Sequence, residues 1–377
     1  MVEMVEDAGE RTERIVSLDV LKGAAIIGVI IAHLSLDDYV TDNSWTYTIG
    51  EFFYAALPMF IIISGYVYRP GRGFSYNARK RLLPLAIAIF AGTVVLTLIT
   101  YCYLLVLGYD LSGCDLWGDI FNAVIGRGSF TEIPGTKIIL GPYDVTFQFY
   151  YLMALLFGHV IFYLIADRIR GDWRKTAVSV VVLASITCFY ILLGGIQLPF
   201  YLQLSPIVAA LLLVGSFLGE HRFMEYLERG WKKKNYWTIL AVVGVVSIIC
   251  IVFFPTGTKF CYTEFGRYGA WSVYTFILLS VSTGTVLLYL ASLVALIPYV
   301  SGFLTFIGKK CLPLYILHVF IAKLLIAPFA QVTSYDYLPI ESTAEGLILA
   351  AASIIIILAL TYMLGRLTKK EEPESLM

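Results

Sequence analysis

Long apolar runs separated by short polar segments make up nearly all of this chain. Ten such runs can be read, at about 15–36, 49–68, 82–107, 147–166, 176–194, 198–219, 236–254, 270–297, 311–331 and 345–366. Each is close to the roughly 20 residues that a helix needs to cross a bilayer core. They are rich in Ile, Leu, Val and Phe and do not alternate, which excludes a transmembrane β-barrel. The third and eighth are long enough to tilt or kink. The pattern predicts an all-α integral membrane protein, a polytopic bundle of about ten transmembrane helices.

The segments between the runs differ in charge, and that difference orients the bundle. If the N-terminus is inside, the inner segments hold 21 of the Lys and Arg residues and the outer ones hold 4: Arg127, Lys137, Lys259 and Arg267. Cytoplasmic loops carry such an excess, so both termini are expected in the cytoplasm. The first 14 residues hold five acids and two bases. A secretory signal needs a positive start and a cleavage site, so the first run reads as a retained helix. The chain then divides into an acidic tail (1–14), one membrane domain (15–366) and a C-terminal tail (367–377). The longest outer stretch, 108–146, is too short and Gly-rich for a folded domain.

Composition narrows the function classes. The chain of 377 residues is 59% hydrophobic and 14% charged, with a mean hydropathy of +0.81, against about 45–50% and about 25% in soluble domains. Lys+Arg and Asp+Glu both number 27, and no basic block is present, so nucleic acid is not an expected partner. Aromatic residues make up 15%, which excludes disorder. Any chemistry must sit in or beside the membrane.

Ionisable groups inside a span are costly and usually functional. The first run, SLDVLKGAAIIGVIIAH, carries Asp19, Lys22 and His33. Lys22 and His33 are eleven residues apart, almost three whole turns, so they share one helix face about 16 Å apart, with Asp19 on the same side. One reading is that Lys22, paired with Asp19, snorkels to the headgroups and His33 marks the outer interface. The other is that all three serve one site. The second run contains LPMFIIISGYVY, in which Pro58 permits a kink while Ser64 and Gly65 permit close helix approach. The loop after it, with Arg69, Arg72, Arg79, Lys80 and Arg81 and no acids, fits positive-inside topology and also offers a surface for phosphate.

His318, in LPLYILH, lies eight residues from Lys310, which places it in the cytoplasmic half near the depth of Lys22. It suits either a helix–helix hydrogen bond or catalysis. His159 and His221 read as structural. Four histidines in separate segments without paired spacing argue against a metal site. Of the cysteines, only Cys114 and Cys261 fall outside, where a disulfide is chemically possible.

Together these segments resemble the membrane acyltransferase-3 family. Lys22 and His33 match its opening helix, an Arg or Lys followed after ten residues by His. LPMFIIISGYVY is similar to its Pro-x-Phe-Phe-x-x-Ser-Gly segment, ARKRLLP to its basic entry to the third helix, and LPLYILH to its late Tyr-x-x-His. The closest flavour is that of sugar O-acetylases, the fucose-4-O-acetylase-like members. Two departures stand out: many members have Arg-x-x-x-Arg where Arg79, Lys80 and Arg81 are adjacent here, and QFYYL (148–152) replaces a Trp-Phe-Leu.

The resemblance implies an O-acyltransferase in the plasma membrane. Its acyl donor would be acetyl-CoA or a similar thioester on the cytoplasmic side, and its acceptor a hydroxyl of a cell-surface or lipid-linked carbohydrate. It implies His33 and His318 as candidate catalytic residues, with Lys22, Asp19, Ser64, Arg79, Lys80 and Arg81 as candidates for holding the donor. Direct attack by the acceptor and an acyl-enzyme both remain open. The alternative class is a small-molecule transporter using the same polar face.

Overall fold

A computed structural model describes residues 15–35, 57–108, 110–126, 131–132, 139–140, 149–196, 198–253, 269–333 and 343–369. Apart from a two-residue antiparallel ladder, Thr131–Glu132 against Ile139–Leu140, the described chain is helical. α1 is Val16–Ser35 and α2 is Leu57–Tyr66. α3 (Gly73–Asn77) runs through a π turn, Ala78–Leu82, into α4 (Leu83–Val106). There follow α5 (Leu116–Ile125), α6 (Phe149–Ile169) and α7 (Trp173–Leu192). A 3-10 turn, Pro199–Leu204, leads into α8 (Ser205–Glu220). Next are α9 (Phe223–Gly230), α10 (Lys234–Phe253), α11 (Ser272–Val294), α12 (Pro298–Gly308), α13 (Cys311–Thr333) and α14 (Thr343–Lys369).

Seven of these helical segments are long and apolar enough to cross a membrane, and up to nine if the two bent pairs α9–α10 and α12–α13 each count as one. Of the expected run 49–68 only residues 57–68 are described, and the first ten of them form α2. Three boundaries differ from the hydropathy reading. The third span begins nine residues earlier, at Gly73, because nothing in GFSYNARKRL stops a helix, so the basic cluster is itself helical. The sixth run is broken by the 3-10 turn. The outer stretch 108–146 contains α5, amphipathic and capped by the Asp115 carboxylate. Residues 1–14 and 370–377, Arg127, Lys137, Lys259, Arg267 and Cys261 lie outside the described residues.

α1, α6, α8 and α11 are the most buried spans, while α4, α7 and α14 are peripheral and turn residues such as Ile87, Val178, Val181 and Ile355 outward. Lipid tails are as apolar as Leu, so close packing and interhelical hydrogen bonds must hold the inner helices together. Two glycine seams do this. A Cβ on Gly23 would collide with the Leu304 carbonyl, and one on Gly308 with the Asp19 carbonyl, so α1 and α12 touch backbone to backbone. Gly65, Gly215 and Gly219 do the same for α2 and α8. Between α10 and α11, Tyr236 and Ser292 share a hydrogen bond of 2.9 Å, and Ser247 and Thr283 one of 2.6 Å.

Candidate active site

α1 brings the site together because it packs against α2, α11, α12, α13 and α14. At its basic end Lys22 Nζ lies 3.5 Å from an Asp19 oxygen, the lysine side chain 28% and the aspartate 7% exposed. The pair is one turn apart, as i and i+3 demand. Ser17, fully buried, donates to the Glu228 carboxylate of α9.

Toward the other end of α1, the His33 ring lies against the His318 ring of α13, with centroids 5.4 Å apart and planes inclined by 35°. This corrects the depth read from sequence, which put His318 level with Lys22. That count took Lys310 as the membrane boundary. In the structure the α12–α13 bend, 63°, is wedged against α1 where Gly308 meets Asp19 and Gly23. α13 therefore starts already within the bundle rather than at its surface. Seven residues further, about 10 Å, His318 stands beside His33.

His318 is fully buried. Its Nδ1 is 2.8 Å from the Tyr315 carbonyl and 3.2 Å from that of Leu314. Carbonyls only accept, so Nδ1 carries the hydrogen and Nε2 of the neutral ring keeps its lone pair. Among the described residues that Nε2 has no hydrogen-bond partner. The Tyr315 ring is 5.9 Å from His318 and 5.4 Å from Tyr151 of α6, whose hydroxyl donates to the Leu57 carbonyl of α2 at 3.3 Å. Two tyrosines thus join the histidine pair to α2 and α6.

The remaining predicted residues gather nearer the basic end. Ser64 Oγ is 2.9 Å from His159 Nε2, and His159 Nδ1 is 2.8 Å from the Leu155 carbonyl. By the same reasoning the serine donates and the histidine accepts. His159 read as structural with no polar neighbour in its own segment; the neighbour comes from another helix. Arg81 donates to the Val67 carbonyl at 3.1 Å, tying the π turn to the end of α2, and is half-buried, while Arg79 and Lys80 are exposed. Tyr68 donates to Asp167 at 3.0 Å. The fold therefore brings His33 and His318 together and Ser64 and His159 together. Tyr151 was legible only as part of QFYYL, and nothing in the sequence marked its contact with Tyr315.

The model of an acyltransferase domain, that of the acyltransferase-3 family, matches residues 15–364. The chain belongs to the acyltransferase-3 family. It is an acyltransferase in a multi-pass membrane setting, and the match does not favour the transport reading. Comparison with curated proteins and with solved structures gives no match. In this acyltransferase both motif histidines, from the first span and the late Tyr-x-x-His, fall at one place, and the match runs through every helix that contributes to it.

Proposed function

We propose that this acyltransferase moves an acetyl or short acyl group from cytoplasmic acyl-CoA to a hydroxyl of a cell-surface or lipid-linked carbohydrate, with His33 as general base. The observation that carries the reading is the His33–His318 pair, half-buried His33 against fully buried His318, about 16 Å along α1 from Lys22. Lys22, poised by Asp19, and the exposed Arg79 and Lys80 with Arg81 offer positive charge for CoA phosphates. The 16 Å is comparable with an extended pantetheine arm, which puts the thioester beside the histidines; Ser64 lies along that route.

His33 takes the proton of the acceptor hydroxyl as its oxygen attacks the thioester carbonyl. The C–S bond breaks, and the departing CoA thiolate recovers the proton from the imidazolium. A second positive charge at 5.4 Å is strongly opposed in a low dielectric, so the pair carries one extra proton at a time. His318, with its free Nε2, steadies that proton. The 21-to-4 split of bases supports the reading that both termini face the cytoplasm, with about ten spans in the plasma membrane.

Two experiments test this reading. Purified protein given radiolabelled acetyl-CoA and an envelope glycan fraction should release CoA and pass label to the glycan. Solute uptake into liposomes without thioester turnover would instead establish a carrier. A cysteine placed at Arg127 should react with impermeant reagent from outside the cell only, and labelling from the cytosol would reverse the topology.

A further inference from the structure

The turn between α7 and α8 is unlike the rest of the bundle. Phe200 and Tyr201 both have left-handed backbone, φ 59° and 51°, a conformation that non-glycine residues adopt only when their surroundings impose it. Its inner end, where Ser205 opens α8, is also deep. The Ser205 carbonyl lies 3.1 Å from where a Cβ of Gly158 would stand, and Gly158 is nine residues, about 13.5 Å, along α6 from its start. That is nearly half of a bilayer core. Non-helical backbone at such depth is tolerated only where protein buries it or where it lines a water-filled cavity.

Two of its polar atoms have no partner. The Gln203 side-chain oxygen accepts the Leu198 N–H at 3.1 Å, but its Nε2 has no partner and the residue is 4% exposed. Ser205 Oγ is likewise unpartnered, at 1%. The Tyr201 ring is 5.4 Å from that of Tyr150. The next residue of α6, Tyr151, points about 100° away from it and leads through Tyr315 to His318 and His33. The turn and these tyrosines carry no charged side chain among residues 150, 151, 199–205 and 315.

We propose that the Pro199–Ser205 turn and Tyr150 form the acceptor site, which takes a neutral, hydroxyl-rich sugar ring. The inference rests on the acyl-transfer reading above. Tyrosine faces cover the apolar face of such a ring, and the Gln203 amide and Ser205 hydroxyl meet its oxygens. A phosphate or carboxylate would find no counter-charge among these residues.

The test uses the full-length protein, acetyl-CoA, and the para-nitrophenyl glycosides of fucose, glucose and N-acetylglucosamine as acceptors. At least one glycoside should be acetylated. Gln203→Met and Ser205→Ala should each raise its KM about 3–10-fold, the worth of one neutral hydrogen bond, and leave the KM for acetyl-CoA unchanged. Ser205→Ala removes only a hydroxyl and decides the matter if Gln203→Met fails to fold. An unchanged glycoside KM in the folded variants overturns the site. CoA release with acetyl passing to none of the glycosides also overturns it, yet leaves acyl transfer standing. Absence of CoA release in the unmodified protein overturns both.

Discussion

Most polar groups at the basic end of this bundle are paired, while several about halfway along it are not. At the basic end Lys22 meets Asp19, Ser64 meets His159, Tyr68 meets Asp167 and Ser17 meets Glu228; the Tyr163, Tyr289 and Thr305 hydroxyls are exceptions. Further in, His318 Nε2, Gln203 Nε2 and Ser205 Oγ are buried without partners among the described residues. A buried polar atom left unpaired costs about 1–3 kcal/mol, and each left-handed residue of the Phe200–Tyr201 turn costs about 1–3 kcal/mol more. A bundle held by glycine seams sustains that cost locally. The paired end holds its shape before any ligand arrives and adds charge for one. The unpaired centre is completed only by what binds there.

The largest effect should come from the centre. His33→Gln keeps size and polarity but cannot take the proton, so transfer should fall about 10²–10⁴-fold with the Kd for acetyl-CoA unchanged. Transfer at the unmodified rate would make His33 a packing residue and move the base to His318. A smaller effect belongs to the basic end. Lys22→Ala should weaken acetyl-CoA binding about 10–100-fold, the range of one charged hydrogen bond, without altering the acceptor KM, and Lys22→Arg should recover most of it. Equal donor affinity in all three proteins would remove Lys22 from the donor site.

The smallest effect is a control outside both regions. Asp172 caps α7, and the Lys175 N–H, followed by that of Arg174, holds its carboxyl below the usual value. A lowered carboxyl contributes stability that is complete above the ordinary carboxylate pKa, about 3.9, and is lost as pH falls through the lowered value. Asp172→Ala should lower the Tm slightly at neutral pH and erase that acid-side dependence, with transfer unaffected. A change in transfer rate would mean that α7 reaches the site.

Much of this was legible in the sequence. Eleven residues is nearly three helical turns, so the relation of Lys22 to His33 follows from the helical period. Asp19 and Lys22 pair for the same reason. His318 was visible as a membrane histidine but was placed at the wrong depth, because counting from Lys310 assumes a helix that enters at the surface. The bend at α12–α13 and the Gly308 contact with α1 invalidate that assumption. His159 looked isolated because its partner lies 95 residues away in the chain. The 3-10 turn was hidden inside the apolar run 198–219, since hydropathy is blind to backbone dihedral angles.

By itself the sequence determined the membrane class, the positions of most helices, the family motifs and the residues that share a helix face, all consequences of composition and of a 3.6-residue period acting within one segment. The tertiary structure alone decided that His318 faces His33, that Ser64 faces His159, and that a strained turn lies deep between α7 and α8. Those are relations between segments. They are set by where glycine backbones allow helices to touch and where helices bend, and no periodicity within a single run encodes them.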